Sequence, residues 1–376
     1  SLKEEIEQKE SKKDNLKQNK EKFENELKEK EEELKKLIEK LSSKELEIEA
    51  FAVKNTEESQ RKNSSSGGVF ISLANQVIEE GGVVCGAKFD KDFHLIHDFA
   101  QTKEELKPLM GSKYLQSDMK DCYKKVKNYL LQERLVLFVG TPCQVMGLKL
   151  YLRKEYNNLL AIEVVCHGVP SPLVWEKYLE EVCKRKKISL NEIENISFRN
   201  KDKSWRVFNL KIEGKDKTIL KESLHDNLYM RGFLQNLFLR QSCHNCPAKN
   251  FNSMADISLA DYWSIDRFHP EIDDNKGVSA MILYNKKIKL DFKKLLLDFK
   301  KLKLDFKNTT LRNILETNTA LVKSAKLHPR REEFFDTMQE KGLLNLKQYV
   351  GEPTLKKIKR KTRWFLSDVK ALIIKK

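Results

Sequence analysis

The sequence predicts an α/β fold with α+β elements: a mostly parallel sheet with flanking helices, preceded by a long coiled-coil-like helix. Three observations lead there. Apolar runs of strand length alternate with helical periodicity through the middle of the chain. Two such runs end in cysteine-bearing turns and enclose one helix, at the spacing of a βαβ unit. The first fifty residues follow a different, seven-residue period.

In residues 1–50, steps of four and three pick out Leu2, Ile6, Leu16, Phe23, Leu27, Leu34, Leu37, Leu41 and Ile48, with Lys at the remaining positions of the seam. That pattern, coated in Glu and Lys, reads as a charged heptad-repeat helix that pairs with a second copy or docks on the body. A homo-oligomer through residues 1–50 is one expectation. The globular domain is expected over 51–340 and a basic tail over 341–376.

Within the body, Val69, Phe70, Leu73, Ala74, Val77 and Ile78 share one helical face, and Gly81-Gly82 ends that helix. Strands are expected at 83–89 and 95–100, and a helix at 117–133. The run Leu135–Val139 is a buried strand ending in Gly140-Thr141-Pro142-Cys143-Gln144. A helix to about Lys154 leads to a second apolar strand, 159–165, ending in Cys166-His167-Gly168. Parallel strands of one βαβ unit end at the same edge, so Cys143 and Cys166 share the carboxyl edge, where open α/β sheets bind ligands. A helix at 173–186, β segments at 196–199 and 207–212, a helix at 229–239 and a strand at 256–259 follow. Residues 290–306 repeat Leu-Asp-Phe at a period of seven and read as an amphipathic helix.

The chain of 376 residues is 40% hydrophobic and 34% charged, with net charge +16. No apolar run reaches the roughly 18 residues of a membrane span, and the N-terminus is charged throughout. The expectation is a cytoplasmic protein without a transmembrane segment. Seven cysteines in that setting are reduced thiols, metal ligands or catalytic groups. The lysines are scattered and no nucleic-acid-binding signature accompanies them, so no nucleic-acid partner is expected.

Cys143 and Cys166 at neighbouring strand ends, with the Cys243-x-x-Cys246 pair, make a four-thiolate set suited to [4Fe–4S] or to zinc. The other reading makes Cys143 and Cys166 small buried hydrophobes. Cys85, Cys122 and Cys183 read as packing residues. Ser64–Gly68 opens a helix, an anion site in which glycine lets the backbone approach. Gly111-Ser112-Lys113-Tyr114 offers a cation and an aromatic ring, as a dinucleotide would want. His167 is a proton donor or a hydrogen-bonded structural histidine. Asp261, at a strand end, orients a cofactor, accepts a proton or caps a turn.

Taken in order, the motifs resemble the coenzyme F420 hydrogenase/dehydrogenase beta-subunit family. They are Asn63–Gly68, Gly111–Ser117, Gly140–Gln144, Cys166–Pro172, Tyr229–Phe233, Cys243–Cys246, Leu259–Trp263 and His328–Glu332, spread over roughly residues 51–335. The resemblance implies FAD and a [4Fe–4S] cluster, with Cys143, Cys166, Cys243 and Cys246 as cluster ligands. It implies that Ser65, Ser66, Gly67, Gly68, Ser112, Lys113, Tyr114, Thr141 and Gln144 line the flavin or its phosphates. No cysteine precedes Cys85, so the two-cluster ferredoxin module of many relatives is expected to be missing. Electrons would then pass to or from an external, ferredoxin-like carrier or an F420-like small molecule. The competing expectation is a non-catalytic relative with a structural metal site, acting as an interaction protein.

Overall fold

Eleven strands among the described residues carry the architecture: β1 (Ile48–Asn55), β2 (Val83–Phe89), β3 (Leu95–Ala100), β4 (Val136–Gly140), β5 (Leu159–Val164), β6 (Asn195–Asn200), β7 (Asn209–Glu213), β8 (Thr218–Ser223), β9 (Ile257–Asp261), β10 (Ser279–Tyr284) and β11 (Leu304–Thr309). The principal helices are α1 (Val69–Glu79), α2 (Cys122–Leu131), α3 (Pro142–Leu152), α4 (Pro172–Lys186) and α5 (Leu228–Leu234). This computed structural model describes residues 48–284, 300–343 and 346–351, with scattered positions between 21 and 36. The expected heptad helix, the first two Leu-Asp-Phe repeats and most of the basic tail lie outside the described residues.

One eight-stranded sheet has the order β11-β1-β10-β9-β5-β4-β2-β3. Its centre, β2-β4-β5-β9, is parallel; β3 at one end and β10, β1 and β11 at the other are antiparallel. The sheet is therefore mixed, with the expected parallel set as its middle. Side chains alternate across it as strand geometry requires. Leu137, Leu160 and Ile162 meet Leu73, Ala74 and Val77 of α1 on one face. Val136, Phe138 and Ala161 meet Val126 of α2 and Val145 and Leu148 of α3 on the other. Each such fully buried aliphatic side chain contributes about 1.5–3 kcal/mol of burial free energy. A separate three-stranded antiparallel sheet, β6-β7-β8, packs with α4 and α5 around Trp175, Phe198, Tyr229 and Phe238.

Several elements differ from expectation, each for a tertiary reason. Ile48, read as the end of the heptad seam, starts β1, which pairs with β10 on one side and β11 on the other. Leu304-Asp305-Phe306, read as helix, is strand: β1 supplies the partner, and Phe306 packs edge-on to Phe51 at 5.7 Å. The helix expected from 117 starts at Cys122, because the Asp118 N–H donates to the Leu95 carbonyl and the Asp118 carbonyl accepts from His97. The helix expected to reach 239 ends at Leu234; Asn236 turns to φ 65° and Leu239 bridges Pro170. Strands β1, β8, β10 and β11 were not expected from the sequence.

Buried Arg61, in the short helix Glu58–Asn63, pins the loop before β10 to the chain entering α1. Its two terminal nitrogens donate to Asp274 at 2.6 and 2.5 Å, and its Nε donates to the Gly277 carbonyl at 2.8 Å. Asp274 is partly exposed, which moderates the loss when the pair is broken. Arg61→Met is expected to destabilise the fold by about 2–3 kcal/mol, short of a fully buried pair. Denaturant unfolding of both proteins checks this, and a loss under about 0.5 kcal/mol, the size of a neutral surface change, would contradict it.

Candidate functional site

A cavity of about 570 Å³ opens at the carboxyl edge of the parallel strands. That volume falls in the usual range for cofactor sites. Val139–Thr141 after β4, Val164–Val169 after β5 and Leu259–Asp261 of β9 form its floor. Arg199 of β6, Phe208 beside β7 and Phe233 of α5 close it from the small sheet's side. Ser64–Ser66, Gly68 and Gly111–Leu115 complete the wall.

The Ser64–Gly68 loop is held from behind. A Cβ on Gly67 would lie 2.3 Å from the Val53 carbonyl oxygen and 2.6 Å from the Ser279 nitrogen, so sheet packing alone requires glycine there. Gly67 N–H donates to Ser279 Oγ at 3.0 Å and Ser66 Oγ donates to the Val278 carbonyl at 2.8 Å. Gly68 sits at φ 81° and caps the start of α1, and a Cβ there would lie 3.0 Å from the Asn55 Cβ, so a side chain strains the backbone and crowds Asn55. The two serine-bearing loops are tied together, since Ser112 N–H donates to Ser65 Oγ at 2.6 Å.

Lys113 does not aim its charge across the cavity. Its Nζ donates to the carbonyls of Ala87, Pro108, Met110 and Gly111 at 2.8–3.2 Å. Burial pulls its pKa down to about 7, against those four acceptors, which favour the cation. Tyr114 stacks on Phe233 at 4.7 Å, and its hydroxyl accepts from Arg199 at 3.2 Å.

Arg199, which the sequence did not mark, is the hub of this wall. It is 6% exposed. Both terminal nitrogens reach Asp261 at 3.0 Å, and one also donates to the Ser65 carbonyl at 3.0 Å. Its plane lies 4.1 Å from the Phe208 ring centre and 5.2 Å from that of Trp263. Its buried Nε has no protein acceptor. Asp261 is thus held in a two-pronged ion pair, a geometry that suits orientation more than proton transfer.

A directed chain of hydrogen bonds fixes the floor. A carbonyl only accepts, so His97 Nε2 carries the hydrogen it donates to Val139 at 3.2 Å, and Ser117 Oγ donates to Nδ1 at 2.8 Å. Gln144 Nε2 donates to Ser117 Oγ at 2.8 Å, and Gln144 Oε1 accepts from Thr141 N–H at 2.9 Å and Thr141 Oγ1 at 3.0 Å. Thr141 Oγ1 lies 3.3 Å from Cys143 Sγ. Thr141 and Gln144 are therefore preset by His97, a residue given no role from sequence.

The four expected ligand cysteines come together. Cys143 and Cys243 both oppose ionisation of Cys166, and Cys143 and Cys246 both oppose that of Cys243. Burial pushes the Cys166 thiol up to about 12, with the Lys249 charge pulling the other way. Val169 N–H reaches Cys243 Sγ at 3.5 Å, and Cys246 N–H donates to Ser324 Oγ at 3.0 Å. Lys249 is 7% exposed, and its Nζ donates to the carbonyls of Cys166 and Ala320. Among the described residues no three cysteine sulfurs lie within 4.8 Å of one another. Tetrahedral zinc needs its sulfurs about 3.8 Å apart, from a Zn–S bond of about 2.3 Å. A four-iron cluster gives each thiolate a different iron and spreads them wider. Cys85 and Cys122 are buried elsewhere in the α2–α3 layer, their sulfurs 3.0 Å apart.

His167 follows Cys166 into the cavity wall. Its Nε2 donates to Asn236 Oδ1 at 2.6 Å, its ring meets Phe233 edge-on at 5.3 Å, and burial lowers its pKa.

Residues 133–304 match the family model for the C terminus of the coenzyme F420 hydrogenase/dehydrogenase beta subunit. This stretch belongs to that family. The match spans β4 to the start of β11 and so includes all four clustered cysteines and the Arg199–Asp261 pair. The family is one of oxidoreductase subunits. A chain of the F420-reducing [NiFe] hydrogenase complex from Methanosarcina barkeri, solved as a xenon derivative, superposes with TM-score 0.47 at 16% identity, covering 80% of this chain and 90% of that one. No curated protein matches. Among the described residues no helix is long and apolar enough to cross a membrane.

Burial lowers the pKa of His97 to about 4, so the folded state holds it neutral. Between that value and the unfolded histidine value near 6.5, the unfolded chain binds the extra proton, and stability rises with pH across this window. Acidifying from pH 6.5 to 4 is expected to cost about 3 kcal/mol through this residue, at 1.36 kcal/mol per pKa unit. His97→Gln keeps a donor and an acceptor. Its unfolding free energy is expected to fall less steeply over the same window in denaturant titrations; an unchanged slope would rule this out.

Proposed function

We propose that the cavity holds FAD, that Cys143, Cys166, Cys243 and Cys246 hold a [4Fe–4S] cluster, and that the chain is an oxidoreductase. It would move electrons between the flavin and an external carrier or an F420-like substrate. One observation carries the reading: Cys166 and His167 line the cavity, so cysteine cage and cavity share a wall. Two redox groups placed there would be neighbours. When bound, the flavin supplies two-electron hydride chemistry and the cluster one-electron exchange.

The residues present fit both groups. The orphaned Arg199 Nε in the cavity wall leaves a buried donor for a ligand acceptor. The tied Ser65 and Ser112 loops present backbone donors where phosphates need them. Lys249, a buried cation bonded to two carbonyls, matches an anionic metal–thiolate group beside Cys166 and offsets part of its charge. Within this reading Asp261 positions Arg199, Lys113 sets its own loop, and His167 borders the two groups as a neutral imidazole.

Anaerobic purification, reconstitution with iron, sulfide and FAD, and a visible spectrum with metal and flavin analysis test the proposal. Cys243→Ser is expected to lose most of the iron. Lys249→Met is expected to weaken iron retention by about 10–100-fold, the usual loss when a group supporting metal ligands is removed. Full iron content in Cys243→Ser would overturn the ligand assignment.

Ser65→Ala leaves the Ser112 N–H without its acceptor and uncouples the two loops. Folding stability is expected to fall by about 1–3 kcal/mol, the cost of an unsatisfied buried donor, and FAD affinity is expected to fall with the loss of the tie between the loops. Fluorescence titration with FAD reads this out. A parent protein that takes up no FAD would end the flavin reading.

A further inference from the structure

The segments that hold and wrap the cysteine cage, including most of α3, are residues 139–150, 164–172, 233–255 and 317–331. They contain no Asp or Glu, the nearest carboxylates being Glu163, Asp256, Glu316 and Glu332 at their ends, although the chain has 56 acidic residues among 376. Their charged residues are all basic, Arg240, Lys323 and Lys326 among them. The segment 323–327 lies directly against the cage. Ser324 Oγ accepts from Cys246 N–H at 3.0 Å, the Ala325 carbonyl faces His244 Nδ1 at 3.0 Å, and the Lys326 carbonyl accepts from Asn236 Nδ2 at 2.9 Å. Arg240 joins the same face, since its carbonyl accepts from Cys243 N–H at 2.9 Å. Arg240, Lys326 and Cys143 are exposed, and Leu327 is 54% exposed beside Lys326.

We propose that this face, Arg240, Lys326 and Leu327 around the exposed edge at Cys143, is the docking surface for a small acidic electron-carrier protein. The inference rests on the reading of the cysteines as a redox centre and adds where the partner sits and what its charge is. Removing every carboxylate from four separate segments takes away like-charge repulsion toward an anionic partner and leaves a positive rim that steers its approach. One exposed leucine next to exposed Lys326 in a segment without carboxylates matches the small apolar centre and polar rim of a transient redox encounter. Half-exposed Val164 and Leu234 of the same segments line the cavity.

The test uses the full chain, reconstituted anaerobically, with a plant-type [2Fe–2S] ferredoxin of net negative charge as probe. Binding is followed by calorimetry from low to high salt. The parent's affinity is expected to fall about tenfold or more as salt screens the surface charges. The double variant Arg240→Glu, Lys326→Glu is expected to bind about tenfold more weakly at low salt, with iron content unchanged. Lys184→Glu, Lys186→Glu is the control: these exposed lysines end α4, about 20 Å along the helix from its start near Cys166. It should bind like the parent. The proposal is overturned if the double reversal has no effect, if the control weakens binding equally, or if the face binds vesicles of anionic phospholipid and not the carrier. Iron analysis of the same samples separates the two readings. Iron-free protein whose binding still responds to the reversal keeps the docking face and sinks the cluster. Iron-loaded protein with no salt-sensitive binding does the opposite.

Discussion

The Arg199–Asp261 pair is the constraint on which the cavity depends. Arg199 belongs to the small sheet and Asp261 to the end of a central strand of the large one, so their two 3.0 Å contacts fix the distance between the sheets. The same guanidinium also holds the Ser65 carbonyl and the Tyr114 hydroxyl. Four chain segments that converge from far apart in sequence thus meet on one side chain. Planarity matters as much as charge: a guanidinium 4.1 Å from the Phe208 ring centre and 5.2 Å from that of Trp263 can serve several acceptors around its edge, which an ammonium cannot. Asp261, sought as a chemical group, acts as the anchor that makes this hub tolerable in a buried setting.

The edge of the sheet explains why site residues from distant motifs cooperate. Parallel β4 and β5 end side by side, so Thr141, Cys143 and Cys166 are neighbours by topology. The His97–Ser117–Gln144 chain then sets the turn after β4, while Lys249 ties the turn after β5 to Ala320. Each cysteine turn has its own support, and the supports come from outside the βαβ unit.

Much of the site was legible in the sequence because it is local. Val136–Gly140 and Leu159–Val164 are apolar runs bounded by Gly, Pro and Cys, and a βαβ unit fixes where such ends lie. The cysteine quartet followed from that geometry and from the resemblance together. Arg199 was not legible: Ile196-Ser197-Phe198-Arg199 alternates like any half-buried strand, and its partner lies beyond 60 residues of intervening chain. The edge of the large sheet was hidden for the same reason. Strand β1 exists because β10 and β11, distant in sequence, cover both its sides, and a Leu-Asp-Phe period that suits a helix gives way to that pairing. Lys113 lines the cavity, yet its Nζ is held by the carbonyls of its own loop and of Ala87 in β2, a set of acceptors that sequence alone does not show.

That loop has a thermodynamic consequence. With Nζ held by the carbonyls of Pro108, Met110 and Gly111 and by that of Ala87 in β2, residues 108–113 are tied to the sheet around their own guest. The conformational entropy of the segment is lost when the protein folds, and a ligand that arrives later does not have to order it. The heat-capacity change on binding should then reflect the apolar surface covered by the ligand and little coupled folding. Exchange of a tightly seated ligand would be limited by movement at the mouth, around Val164 and Leu234, and not by remaking the wall.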